Sequence, residues 1–335
     1  MTSNTLPARD RSLDILKGFG ILLMICGHIG FGTPFIQFCA SFYMPLFYVV
    51  SGYLLNDRRP FSGFVLKKAK GLLVPYYAFG ALGAVLAYFF RRDTFSQSMY
   101  NFFFFPTAVP MPIIGAIWFL MSLFLSESIY YLFFKLFKNK QLVAVPCIIL
   151  CVLLTVVPNY FETTLPLGLN TVGISLVYIH FGFLIRYFAD KNKERNVLSL
   201  RSVPTVIFLA LHLGLCFFAN GVTNYRSAET GRSILLYIFI SMLAIIGYWN
   251  LFKRLKQPRM LLDYLNFVGK NSIVYLVTNQ VLILAFRMFF TEYMNSDNLL
   301  LMIGSKAVCA VFVLAAEHAL VYLFRLKGLR RLVGK

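Results

Sequence analysis

Lys17 and His28 stand eleven residues apart in an otherwise apolar stretch that opens Asp14-Ile15-Leu16-Lys17-Gly18 and closes Gly27-His28. Eleven residues is close to three helical turns of 3.6, so a helix carries both side chains on one face. They then lie roughly 16 Å apart along the axis at about 1.5 Å per residue. Asp14, Ile21 and Met24 complete the same stripe. A neutral imidazole can take the proton of a hydroxyl, because its ordinary pKa is near neutrality. Inside a bilayer each charged side chain costs at least about 2.5–3.5 kcal/mol, so an acid, a base and an imidazole on one membrane face read first as functional groups. The plainer alternatives are a histidine bonded to a neighbouring carbonyl, and a Lys17–Asp14 pair at i,i+3 that snorkels to the interface.

Other residues could add to this chemistry. The run Ser41-Phe42-Tyr43-Met44-Pro45-Leu46-Phe47, followed by Ser51-Gly52-Tyr53, places a proline within an apolar segment. Pro45 lacks a backbone donor and can kink a helix, freeing carbonyls that must be satisfied inside the bundle. Ser51-Gly52 permits close helix approach. Glu127, Asn271, Ser272, Asn279, Gln280, Arg287 and Glu317 are further polar residues at membrane depth, and Trp118-Phe119-Leu120 precedes Glu127. Arg287 can either snorkel to the interface or bind an acceptor's oxygens. His180, His212 and His318 lack a surrounding motif and read as packing histidines. The chain has no phosphate-binding loop of the Walker type, no G-x-G-x-x-G, no H-E-x-x-H and no G-x-S-x-G. Spacing of His, Cys and carboxylates supplies no metal site. The six cysteines all lie in apolar surroundings without a C-x-x-C pair, which reads as buried, reduced thiols.

The elements that must position these residues are membrane helices. Of the 335 residues 59% are hydrophobic, 17% aromatic and only 13% charged, and the mean hydropathy is +0.72. A soluble domain carries roughly a quarter of its residues charged. The apolar runs recur from end to end without a polar linker, which predicts one all-α integral membrane domain over residues 1–335. Ten spans are expected, approximately Leu13–Phe31, Phe35–Leu55, Leu72–Phe90, Ile117–Phe137, Leu142–Pro158, Leu169–Phe188, Val203–Ala219, Arg232–Phe252, Ser272–Phe290 and Leu299–Phe324. The polar, basic start MTSNTLPARDRS followed by a full span does not resemble a cleavable signal peptide.

The net charge of +19 comes from residues in short connections, a topogenic pattern rather than a nucleic-acid surface. Lys17 apart, only Arg91, Arg92, Arg226, Arg232, Arg287 and Lys306 fall on one side; the others, from Arg9, Arg11, Arg58 and Arg59 through Lys193, Arg195 and Arg201 to Lys335, fall on the other. The positive-inside rule then puts both termini in the cytoplasm. Two segments read as non-spanning. Residues 58–71, with Lys67, Lys68 and Lys70 among Phe61, Phe64, Val65 and Leu66, resemble a basic amphipathic surface helix. Residues 101–115 (NFFFFPTAVPMPIIG) resemble an aromatic interfacial cap on the outer side.

Taken together, Arg11-Ser12-Leu13-Asp14-Ile15-Leu16-Lys17-Gly18, Gly27-His28, Phe42-Tyr43-Met44-Pro45-Leu46-Phe47 and Ser51-Gly52-Tyr53 resemble the opening of the membrane-bound acyltransferase family 3. Lys67-Lys68-Ala69-Lys70 with Leu72-Leu73-Val74-Pro75-Tyr76, Trp118-Phe119-Leu120, and Gly269-Lys270-Asn271-Ser272 with Tyr275-Leu276 continue the resemblance along almost the whole chain. The nearest branch is that of sugar O-acetyltransferases similar to fucose 4-O-acetylase. The resemblance implies a multi-pass protein of the inner (plasma) membrane. Its reaction takes an acyl group, usually acetyl, from cytoplasmic acyl-CoA to a hydroxyl of a cell-surface or lipid-linked glycan. His28 matches the family's essential histidine, and Lys17 stands at its frequent arginine. Three positions depart: Tyr43 and Asn279 stand where many members have histidine, and Gly71 where many have arginine.

On this reading His28 is the base, or less directly the carrier of the acyl group, and Lys17 and Asp14 orient the donor. Lys67, Lys68 and Lys70 attract the phosphates of acetyl-CoA. Tyr43, Ser51, Trp118, Glu127, Asn271, Asn279 and Arg287 are the expected acceptor contacts. The rival classes are a transporter, although no inverted repeat is visible, and a non-catalytic component of a glycan-export complex.

Overall fold

A computed structural model describes residues 10–55, 59–90, 94–107, 113–191 and 202–334. Arg9, Arg58, Arg91, Arg92, Lys193, Arg195, Arg201 and Lys335, which enter the charge pattern, lie outside the described residues, as does the 108–112 stretch of the aromatic cap. Ten helices among the described residues are long and apolar enough to cross a membrane: Arg11–Ile29, Thr33–Tyr53, Phe61–Phe89, Gly115–Leu136, Lys140–Tyr160, Pro166–Lys191, Ser202–Asn220, Ile234–Arg254, Ser272–Met294 and Leu299–Leu323. They are numbered here as the first to the tenth span. An even number of crossings returns the chain to the side on which it starts. The end of the bundle holding both termini is called the terminal end, and the other the far end.

Burial divides the spans. The first and sixth are the most enclosed, at 67% and 72%, whereas the seventh and tenth are enclosed at only 17% and 11% and present most of their surface outward. Glycine sets the tightest crossings. A Cβ on Gly52 would lie 1.9 Å from the Ile179 carbonyl oxygen, and one on Gly182 would lie 2.0 Å from that of Val49. The second and sixth spans therefore touch backbone to backbone in both directions, the small-residue packing that membrane helices use.

The second span breaks at Ser41-Phe42, between helical segments Thr33–Ala40 and Tyr43–Tyr53. Pro45 explains the break, because it has no N–H to offer the Ser41 carbonyl. The freed acceptors are taken by neighbours: Ser241 Oγ donates to the Ser41 carbonyl at 2.8 Å, and Tyr237 Oη to that of Ala40 at 2.9 Å. A related effect corrects the sequence reading of residues 58–71. Rather than a separate surface helix, the segment is the start of one helix that runs through a π turn at Ala69–Leu73 into Val74–Phe89. Pro75 cannot bond the Gly71 carbonyl, and the helix accommodates this by widening a turn instead of stopping.

Two α-helices among the described residues do not cross. Phe95–Phe104 covers the far end, where Tyr76 stacks on Phe102 at 4.4 Å and donates to its carbonyl at 2.6 Å. Arg259–Lys270, which hydropathy leaves as part of a polar connection, is an amphipathic helix whose Leu262, Leu265, Val268 and Gly269 are buried. It lies along the first span. A Cβ on Gly18 would fall 1.9 Å from the Leu265 carbonyl oxygen, and one on Gly269 would fall 1.8 Å from that of Asp14. Two of the sequence motifs, around Gly18 and Gly269, thus meet in space.

Candidate active site

His28 occupies the last turn of the first span, half-exposed, at the far end of the bundle. Its Nδ1 lies 2.8 Å from Oδ1 of Asn279, a fully buried residue of the ninth span and 251 positions away in sequence. The amide of Asn279 cannot be turned round freely, because its Nδ2 donates to the carbonyls of both Tyr275 and Leu276 at 2.8 Å. With both amide hydrogens committed, the oxygen faces the imidazole as an acceptor. A neutral imidazole has one N–H, and here it belongs on Nδ1. The lone pair is then on Nε2, the form that can accept a hydroxyl proton.

The helix end that carries His28 is fixed separately. Arg287 Nη2 donates to the carbonyls of His28 at 3.3 Å and Ile29 at 3.0 Å, and Lys306 Nζ donates to that of Gly30 at 2.8 Å. Cations at a helix C-terminus satisfy orphan carbonyls and oppose the negative end of the helix dipole. Beside His28, Gly27 faces open space: a Cβ there would meet nothing within 4 Å. Gln280, adjacent to Asn279, accepts from the Ala116 backbone N–H at 3.0 Å. This contact brings the start of the fourth span, with buried Trp118, to the same end.

Tyr43 is half-buried in the second span. Arg226 was visible in sequence only as part of the charge count. It sits on a turn, Tyr225–Ser227, that folds into the bundle so that Tyr225 is buried and its hydroxyl lies 2.8 Å from Ser175 Oγ. The Nη1 of Arg226 is buried without a hydrogen-bond partner. Burial draws this guanidinium below its ordinary pKa, while Glu229 and Tyr43 act in the opposite direction.

The other expected site residues gather at the terminal end. Lys17 Nζ pairs with the buried Asp14 carboxylate at 2.7 Å. Trp249 Nε1 donates to Ser12 Oγ at 3.0 Å and its ring meets Tyr53 edge-on at 4.9 Å, which sets the end of the second span level with the start of the first. Close by, Glu127 is buried and its Oε1 accepts from Ser51 Oγ and from Lys68 Nζ, the latter at 2.6 Å. Asn271, whose Nδ2 donates to the Phe267 carbonyl at 2.8 Å, closes the amphipathic helix beside Asp14. Ser51, Glu127 and Asn271 therefore stand toward the terminal end, away from His28, whereas Trp118, Asn279 and Arg287 stand at its end and Tyr43 lies midway along the second span. Lys67 and Lys70 are exposed, and Lys68 is tied to Glu127. The remaining histidines pack: His212 Nε2 lies 2.8 Å from Ser41 Oγ, His180 Nδ1 lies 3.0 Å from Tyr130 Oη, and His318 stacks against Tyr264.

Residues 10–316 match the acyltransferase domain family. The chain belongs to that family. The acyltransferase domain thus covers all ten of the spans described above except the end of the tenth. The chain is also similar to nodulation protein NolL of Sinorhizobium fredii, with 26% identity over 253 residues, 68% of this chain and 64% of NolL. It thus spans less than two thirds of the length of that relative. No solved structure matches it. Within the acyltransferase domain, the pairing of His28 with Asn279 is the arrangement that sequence reasoning missed. The signal available was an asparagine at membrane depth following a Gly-Lys-Asn-Ser segment, without any indication of which helix it faces.

Proposed function

We propose that this membrane acyltransferase moves an acetyl group from acetyl-CoA, entering at the cytoplasmic terminal end, to a hydroxyl of a cell-surface or lipid-linked glycan held at the far end, in the inner (plasma) membrane. The observation that carries the reading is the Asn279-locked imidazole of His28, with its Nε2 lone pair free. In the reaction Nε2 takes the proton of the acceptor hydroxyl as its oxygen attacks the thioester carbonyl. The C–O bond forms, the C–S bond breaks, and the proton passes from the imidazolium to the departing thiolate. Asn279 favours this step twice, fixing the tautomer and accepting a hydrogen bond from the imidazolium that forms.

Lys67 and Lys70, which are exposed, would meet the donor's phosphates as point charges. Lys17 and Asp14 lie on the same helix as His28, roughly 16 and 21 Å down its axis, a separation for the extended arm of the donor to cover. Tyr43 and Trp118 are left as acceptor-side residues.

The decisive experiment reconstitutes the protein in proteoliposomes with radiolabelled acetyl-CoA inside and isolated surface glycan outside. Label should pass to the glycan with the wild type and fall at least a hundredfold with His28→Ala, while donor binding stays within twofold. Transfer above a tenth of wild type in His28→Ala would sink the assignment of the base.

A further inference from the structure

Away from His28, the far end holds a cavity of about 760 Å³ between the connection of the fifth and sixth spans and that of the seventh and eighth. Its described lining carries Asn159, Glu162, Thr163, Thr164, Ser227 and Glu229 among further threonines and an asparagine, and Pro158 and Val222 are its apolar side chains. Ligand cavities of this size are ordinarily lined by apolar and aromatic groups. This one offers hydroxyls, amides and two carboxylates. Such a wall matches a ligand with many hydroxyls and gives little to an acyl chain. The carboxylates of Glu162 and Glu229 accept hydrogen bonds from hydroxyls and repel anions.

The cavity is built rather than left over. The non-glycine residues with left-handed backbone among those described are Glu162, Leu167 and Ala228, with φ of 51°, 56° and 60°; Glu162 and Ala228 lie in the two connections that form the cavity, and Leu167 in the first turn of the sixth span beside them. Strained backbone persists only where its surroundings over-determine it, and it concentrates at binding sites. Here side-chain amides hold it. Asn159 Nδ2 bridges the two connections by donating to the Ala228 carbonyl at 2.6 Å. Asn170 accepts from the Leu165 N–H at 2.6 Å and donates to the Thr163 carbonyl at 3.0 Å, and Asn220 donates to the Thr230 carbonyl at 3.0 Å.

The cavity shares the end of the bundle that carries His28. Gln37 of the second span donates to the Cys216 carbonyl at 2.7 Å, which ties the end of the seventh span to the start of the second. Arg226, next to Ser227 of the lining, is favoured as a cation by the Glu229 carboxylate.

We propose that this cavity is an acceptor subsite for a neutral sugar residue of an oligosaccharide, distinct from the residue whose hydroxyl meets His28; the proposal rests on the acyltransfer reading above. The acceptor would then be an oligosaccharide or polymer rather than a free monosaccharide.

The test uses the full chain in lipid nanodiscs and, as probes, neutral di- to tetrasaccharides of glucose, galactose, mannose and fucose beside their uronic-acid counterparts, followed by saturation-transfer NMR. At least one neutral probe should bind, with its uronate at least tenfold weaker. Thr164→Trp, which fills the cavity from an exposed position, should weaken the neutral probe at least tenfold while acetyl-CoA binding stays within twofold. The double variant Glu162→Gln, Glu229→Gln should keep neutral binding within threefold and lose the discrimination against uronates. Failure of every neutral probe to bind, equal binding of uronates to the wild type, or indifference to Thr164→Trp overturns the subsite. The acyltransfer reading fails on a different result, absence of label transfer with or without His28, which sugar binding does not enter.

Discussion

Replacing Asn279 by leucine tests whether the chemistry depends on the imidazole tautomer. Leucine has the same number and branching of side-chain heavy atoms as asparagine, so the packing of the ninth span against the first is largely kept. The Tyr275 and Leu276 carbonyls that Asn279 bonds lie four and three residues back on its own helix, where the backbone ladder also serves them. What is lost is the acceptor 2.8 Å from Nδ1 of His28. An unsatisfied buried donor costs about 1–3 kcal/mol. The imidazole escapes that cost by moving its proton to Nε2, which presents an N–H to the acceptor hydroxyl instead of a lone pair. The reactive tautomer is then suppressed by the same energy, about 5- to 150-fold in rate at 1.36 kcal/mol per factor of ten. The assay is single-turnover transfer of acetyl to glycan, with acetyl-CoA affinity measured in parallel. The expected result is a fall in rate of at least fivefold at unchanged donor affinity, with most of the rate restored by Asn279→Asp, whose carboxylate also accepts from Nδ1. A rate within twofold of wild type, or a loss confined to donor affinity, refutes the reasoning.

Three further outcomes follow from named contacts. Lys68→Ala leaves the Glu127 carboxylate buried with Ser51; since Lys68 is about a third exposed, a loss of about 1–3 kcal/mol is expected, discounted from the 3–5 of a fully buried pair. Thermal unfolding in detergent measures it, and Glu127→Gln in the same background should recover most of it. Gly52→Ala places a Cβ 1.9 Å from the Ile179 oxygen and should sharply reduce folded protein on size-exclusion chromatography, whereas Gly71→Ala, which meets nothing within 4 Å, should leave the yield unchanged. Arg287→Ala removes two bonds to the end of the first span and should cost about 0.5–2 kcal/mol of stability; a raised KM for the glycan at unchanged stability would instead make Arg287 an acceptor contact.

Hydropathy makes the ten spans legible, because each apolar run reports its own burial in lipid without reference to the others. His28 and Lys17 stand out on the same local basis, as costly residues in an apolar helix. The amphipathic helix Arg259–Lys270 does not stand out, since its apolar face is written for the first span rather than for lipid. The continuity of Phe61–Phe89 is hidden by Pro75, which looks like a stop but only widens a turn. Partnerships are hidden most deeply. Asn279 with His28, and Glu127 with Lys68 and Ser51, depend on which helix faces which. That is settled by glycine crossings such as Gly52 on Ile179, and periodicity within one helix carries no trace of it.

The first span is held at both ends. Gly18 and the Asp14 carbonyl lock its start onto the amphipathic helix, and Arg287 and Lys306 grip the carbonyls at its finish. Lys306 belongs to the tenth span, which is enclosed at only 11%, so a helix of the outer rim takes part in fixing the depth of His28. A change confined to that outer helix can therefore reach the imidazole without touching any residue of the site.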